Sequence, residues 1–210
     1  MLFKYPRTYH LPWSEGVSSD DKVLKNINHL IGKEIVITEK LDGENTTIYK
    51  KFSHARSVDS KHHVSRDWIK QFAAMFQYNL PDNWRICGEN LFAKHSIYYD
   101  QLSSYFYGFS VWNDDNICLS WDDTIDFFNK FNIVHVPIVS RFILTDINDI
   151  YNKTKEIIDN LDKHEGYVIR IADSFAYSDF KNSVVKFVRK SHVNTDDHWM
   201  YSSITKNKLR

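Results

Sequence analysis

The sequence predicts an α+β protein built from two largely antiparallel sheets with flanking helices, and three observations lead there. Segments rich in β-branched and aromatic residues come in groups, at 33–41 and 45–52, at 84–92 and 105–113, and at 166–172 and 183–190. Helix-periodic stretches separate these groups instead of following every strand, which is not the alternation of a parallel doubly wound sheet. No Gly-rich phosphate loop is present. With no internal repeat and no low-complexity tract, residues 1–210 read as a single domain, a length at which folding buries a substantial core.

Taken in order, residues 18–32 (SSDDKVLKNINHLIG) offer Ser and Asp caps, apolar Val23, Leu24, Ile27, Leu30 and Ile31, and Gly32 as a stop. That pattern predicts a short amphipathic helix. KEIVITEKL and NTTIYKKF read as strands on either side of Asp42-Gly43. SRDWIKQFAAMFQYNLPDN spaces Trp68, Phe72, Met75 and Phe76 at helical intervals and ends before Pro81. WRICGENLF and YFYGFSVWN are strands, SWDDTIDFFNKFN a helix and IVHVPIV a strand. TDINDIYNKTKEIIDNLDKHEG is a third helix, capped by Thr145 or Asp146, with Ile147, Ile150, Ile157, Ile158 and Leu161 facing inward. GYVIRIA and SVVKFVRK close the series as strands.

Lys plus Arg equals Asp plus Glu at 27 each. The net charge therefore creates no general attraction for nucleic acid, and such a role needs a local basic surface. Cys87 and Cys118 stand in apolar runs without CxxC spacing and read as reduced core residues of an intracellular protein. No apolar run reaches membrane-spanning length, and MLFKYPRTYHLPWSEG lacks the apolar core of a signal peptide. A soluble intracellular monomer with no membrane partner is the expectation.

The stretch ITEKLDGENTTIY poses the functional question. Asp-Gly between β-rich runs is a strong hairpin signal, because both central positions of that turn need positive φ. Lys40 would then be a solvated residue at the turn's lip. Its companions change the odds. HARS brings Arg56, RICGENLF brings Glu89, FYGFSVW brings an aromatic strand, HEGYVIR brings Glu165 and Arg170, and VVKFVRK brings Lys186. In that order the segments resemble motifs I, III, IV and V of the covalent nucleotidyltransferases, the superfamily of ATP-dependent DNA and RNA ligases and mRNA capping enzymes. The branch most similar is that of the RNA ligases, and the resemblance covers residues 35 to 190.

The resemblance implies a ligase-type nucleotidyltransferase (ATP-grasp-like) domain whose two sheets enclose a nucleotide cleft. Only 20 residues follow Lys190, so no complete OB-fold is expected. Lys40 is the implied nucleophile that takes AMP from ATP. Free lysine titrates near pH 10.4, so it must be deprotonated, which Lys186 and Arg170 would favour while neutralising phosphates. Glu39 would lie beside the adenine and Asn45 near the phosphate or nucleic-acid end. Gly43 would allow the tight turn that brings backbone to the nucleotide. Glu89 would accept from the ribose hydroxyls and Phe109 would stack on the adenine, in preference to Tyr107 on the same strand face. Glu165 would help hold Mg2+ or Mn2+, and Arg56 would contact the AMP phosphate or a 5′-phosphate. The implied substrate is RNA with 5′-phosphate and 3′-hydroxyl ends. A minimal DNA ligase and a non-catalytic nucleic-acid-binding module are the alternatives.

The chain departs from the family pattern at three places. Ser110 stands where motif III usually has aspartate, Arg170 replaces the motif IV lysine, and Val188 takes the place of a second motif V lysine, with Arg189 or Lys190 as substitutes. His62, His63, His95, His192 and His198 lack zinc-like spacing. They read as surface residues which, with RTYH, HARS, Arg66 and Lys94, could line a phosphate-tracking surface where Trp13 or Tyr98 stacks on bases.

Overall fold

A computed structural model describes residues 2–190 and 204–210. Along the chain run β1 (Tyr9–His10), β2 (Glu34–Lys40), β3 (Glu44–Tyr49), β4 (Ser53–Ala55), α1 (Asp67–Ala74), β5 (Arg85–Asn90), β6 (Phe106–Trp112), β7 (Ile117–Cys118), α2 (Trp121–Lys130), β8 (Ile138–Ile143), α3 (Ile147–Asp159), β9 (Gly166–Ile171), β10 (Phe175–Ala176), α4 (Phe180–Ser183) and β11 (Val184–Val188). The α+β expectation holds, with two sheets and flanking helices. The described residues divide into two compact units, one of residues 2–5, 42–135 and 204–210, the other of residues 6–41 and 136–190.

In the first unit the antiparallel order β7-β6-β5-β3-β4 places long apolar strands at its centre. Ile48, Ile86, Phe106 and Val111 from those strands meet Ile69, Ala73 and Phe76 from α1 and its end, and Phe128 from α2. Ser120 caps α2 by accepting from the Asp123 amide. Helix α1 is shorter than its periodicity implies. A 3-10 turn precedes it, and it stops at Ala74, leaving Met75 72% exposed while Trp68 and Phe72 stack.

In the second unit the sheet order is β1-β11-β9-β2-β8. All its pairings are antiparallel except the short parallel one between β1 and β11. Helix α3 lies on it with Ile150 and Ile157 buried, and begins with a capping box in which the Asp146 and Asp149 side chains each accept from the other's backbone amide. Tyr167 and Phe187 stack face to face at 5.1 Å across β9 and β11. Burial pushes the Tyr167 hydroxyl up to about 12.

Three local expectations fail for identifiable reasons. Residues 18–32 form no α-helix, only a 3-10 turn at Asn28–Leu30. Ser18 closes on Asp20 and Asp21, and His10 pairs its backbone with Lys22 and Leu24, so tertiary strand-like pairing overrides the helical period. The strand expected at 133–139 begins only at Ile138, beyond Pro137. Most consequential, Asp42-Gly43 is not a hairpin. β2 pairs with β8 and β9, β3 pairs with β4 and β5, and neither Asp42 nor Gly43 has positive φ.

Candidate functional site

Glycine is required at position 43 by close packing, not by turn geometry. A Cβ there would come within 2.6 Å of the Asn90 carbonyl oxygen and of Leu91 Cδ2, distances at which the backbone must shift. The neighbouring Asp42 is 4% exposed. Its Oδ2 accepts from the Ser96 amide, the Ser96 hydroxyl and the Ile97 amide, each at 2.7 Å, while its own amide donates to the Tyr99 hydroxyl. The same loop is tied down from its other side by buried Asn207, which accepts from the Tyr99 amide and donates to the Leu91 carbonyl. The sequence reading saw in Asp42 only a turn former.

Around this anchor the first unit presents its candidate residues. Asn45 and Glu89 are directly opposed on β3 and β5, and Asn45 Oδ1 is buried with no hydrogen-bond partner among the described residues. On β6, Cys87 is opposed to Ser110 but Gly88 to Gly108, so Phe109 is the extra residue of a β-bulge. A bulge re-aims one side chain. Phe109 is accordingly half-buried while every other residue of β6 is buried, and the simple alternation expected to link it to Tyr107 is interrupted. Tyr5 packs edge-on against Phe109 at 5.2 Å. Ser110, standing for the motif III aspartate, is buried and accepts from Trp112 Nε1. Arg56 is exposed just past β4.

The second unit gathers the cationic candidates on one sheet face. Lys40 is opposed to Gly166, Lys186 to Val168, and Val36 and Val184 to Arg170. Opposed residues share a face and every second residue repeats it, so Lys40, Lys186 and Arg170 project to the same side. The face grades inward. Arg170 is buried, donates from Nε to the Ile171 carbonyl and lies over the Phe175 ring at 5.4 Å, whereas Lys40 and Lys186 are partly exposed. Both carboxylate oxygens of buried Glu165 lie 2.6 Å from Lys40 Nζ. Gly166, at φ +152°, lets this carboxylate enter the strand, since a Cβ there would stand 2.1 Å from the Phe187 carbonyl oxygen. Glu39, beside Lys40, pairs at 2.7 Å with His164, a residue the sequence reading passed over.

Several expected surface groups are otherwise engaged. His10 is 1% exposed, Arg66 is paired in a fork with Glu44, and Arg7 pairs with Asp20. Trp13 packs on Tyr151 and donates to Tyr167, His62 pairs with Asp67, and His63 caps a 3-10 turn. Lys94 and Tyr98 remain exposed. His192 and His198 lie outside the described residues. Cys87 and Cys118 are buried in the core as reduced thiols, with burial raising the Cys87 pKa. Among the described residues no helix is long and apolar enough to cross a membrane.

Comparison with known proteins adds an independent line. The family model of RNA ligases matches residues 33–188. A search of curated proteins found no match. Among solved structures, an archaeal ATP-dependent RNA ligase is similar with TM-score 0.61 at 15% identity, over 90% of this chain and 48% of that one. The Naegleria gruberi RNA ligase with PPi gives 0.55 at 19% identity, over 90% and 58%. A putative ATP-dependent DNA ligase from Aquifex aeolicus gives 0.54 at 22% identity, over 80% and 47%. At these identities the likeness is one of fold, and the chain spans about half the length of the structures it resembles.

Proposed function

The chain belongs to the RNA ligase family, and on that premise we propose that it is an ATP-dependent RNA ligase joining 5′-phosphate and 3′-hydroxyl ends through a lysyl-AMP intermediate. The observation that carries this reading is the arrangement of Lys40, Glu165 and Lys186. Two lysines share one sheet face, and a buried carboxylate meets the first of them at 2.6 Å. A solvated hairpin lysine needs no such setting.

Attack requires the Lys40 amine to leave its ion pair and lose its proton. Nζ then bonds to the α-phosphorus of ATP as the bond to the pyrophosphate oxygen breaks. A 5′-phosphate oxygen next attacks the same phosphorus, the N–P bond breaks and the amine is regenerated. Finally a 3′-hydroxyl attacks the 5′-phosphorus and AMP departs. Charge moves at phosphorus in every step, so the cations that neutralise it do much of the work. Lys186 supplies that charge, and Arg170 reinforces it from beneath. Glu39 and Phe109 would hold the adenine, Glu89 the ribose, and Asn45 and Arg56 the phosphates.

A divalent ion, Mg2+ or Mn2+, fits Glu165, whose carboxylate is the hard oxygen donor such ions take. Among the described residues no group of three His, Cys, Asp or Glu side chains converges, so phosphate oxygens and water would complete its shell. When bound, the ion neutralises phosphate charge. The Naegleria gruberi RNA ligase E227A mutant with ATP and Mn, similar at TM-score 0.54 and 18% identity, supports both ligands.

The experiment is incubation with radiolabelled ATP or GTP and Mg2+ or Mn2+. Label from ATP that stays on the protein through denaturing electrophoresis and survives alkali should appear on the wild type and not on Lys40→Ala, while Lys40→Ala still seals a pre-adenylylated RNA. Full sealing from ATP by Lys40→Ala sinks the mechanism. A panel of nicked RNA, DNA and hybrid substrates decides between RNA and DNA joining.

A further inference from the structure

Lys186 has a neighbour arriving from far away in the sequence. β1 runs parallel to β11 with His10 opposite Lys186, and the turn-containing segment after it returns Asp21 to the same place. Asp21 Oδ1 lies 3.8 Å from Lys186 Nζ, and Asp21 Oδ2 lies 3.4 Å from His10 Nε2. On its other side His10 Nδ1 meets the Ser14 hydroxyl at 2.8 Å, and that hydroxyl accepts from the Val188 amide at 2.9 Å. Three residues of one N-terminal segment thus brace β11 at two points, at Lys186 and two residues beyond it. His10 at its centre is 1% exposed, whereas Ser14, Asp21 and Lys186 are half-buried, and a buried imidazole is costly unless polar neighbours satisfy it.

The cluster also carries charge information. Burial lowers the His10 pKa and Lys186 lowers it further, with Lys40 contributing in the same direction. The Asp21 carboxylate works in the opposite direction. Burial works against the Asp21 carboxylate, yet the Ser18 amide and hydroxyl, followed by Lys186 and His10, hold it below its usual range.

We propose that Asp21, held by the Ser18 amide and hydroxyl and by His10, is a positioning residue that fixes the Lys186 ammonium for nucleotidyl transfer. The proposal rests on the ligase reading above. Free lysine side chains spread over many rotamers, and a carboxylate on one side restricts Nζ to the position from which it meets phosphate.

A double-mutant cycle tests it, using single-turnover formation of labelled lysyl-AMP by the wild type, Asp21→Asn, Lys186→Ala and the double variant. Asp21→Asn should slow labelling about 10- to 100-fold when Lys186 is present, the scale of one lost charge-assisted contact. In the Lys186→Ala background the same change should alter the rate by no more than about 3-fold, since coupled residues are non-additive. Asp21→Glu should restore part of the rate. Equal loss in both backgrounds, or no loss in either, overturns the proposal. If Asp21→Asn does not fold, His10→Gln carries the same cycle and the same criterion. A wild type that takes no label from ATP refutes the ligase reading instead.

Discussion

Replacing Asp42 should damage stability and the proposed chemistry together, because one carboxylate oxygen anchors the link that follows Lys40. It accepts three hydrogen bonds of 2.7 Å while 4% exposed. Asp42→Ala leaves the Ser96 and Ile97 amides without their acceptor, each costing about 1 to 3 kcal/mol. With the half-buried Ser96 able to recover some water, roughly 4 kcal/mol is expected in total. Asp42→Asn keeps one acceptor but loses its charge, a difference of about 2 kcal/mol. For a chain of this size each kcal/mol lowers the melting temperature by about 2 to 4 °C, so Asp42→Ala should melt roughly 8 to 16 °C lower and Asp42→Asn about half as far. Lys40 stands two residues before this anchor. Self-labelling from ATP, measured well below the new melting temperature, should fall in Asp42→Ala even where the protein remains folded. Thermal melts by circular dichroism and a labelling time course give both readings. An Asp42→Ala protein that melts within about 2 °C of the wild type would show that the three bonds are geometric accompaniments without energetic weight.

Further outcomes follow from other parts of the molecule. Phe109→Leu should raise the apparent KM for ATP several-fold with little loss of stability, because the bulge leaves this ring half-buried; an unchanged KM counts against stacking. Glu165→Ala should suppress both self-labelling and the sealing of pre-adenylylated RNA, and a variant impaired in only one of the two would separate the metal role from the lysine contact. Stability should fall on acidification below about pH 6.5. Burial lowers the pKa of His10, His29 and His54, so in that window the unfolded chain binds protons that the native chain does not. The melting temperature measured from pH 8 to pH 5 should show this loss, reduced in His10→Gln. A flat profile contradicts it.

The sequence alone determined the order of the candidate residues and most of the elements around them. Lys40, Glu89, Phe109, Glu165 and Lys186 are legible because their types and succession follow a family pattern, and β2, β5, β6, β9 and β11 because β-branched and aromatic runs leave few alternatives. Helices α2 and α3 are legible because their caps are local: Ser120 and Asp146 bond to amides two or three residues away. What only the tertiary structure decided depends on residues distant in the chain. Whether Asp42-Gly43 turns a hairpin was settled by the partners that β2 and β3 find elsewhere, and glycine there answers to Asn90 and Leu91. The bulge that re-aims Phe109 exists only in the register between β5 and β6. Residues 18–32 carry a helical period but are drawn into extended pairing by His10, which also delivers Asp21 to Lys186 across 165 positions of sequence. Periodicity and caps act within a few residues, whereas burial, register and the pairing of charges are set by which surfaces the folded chain brings together.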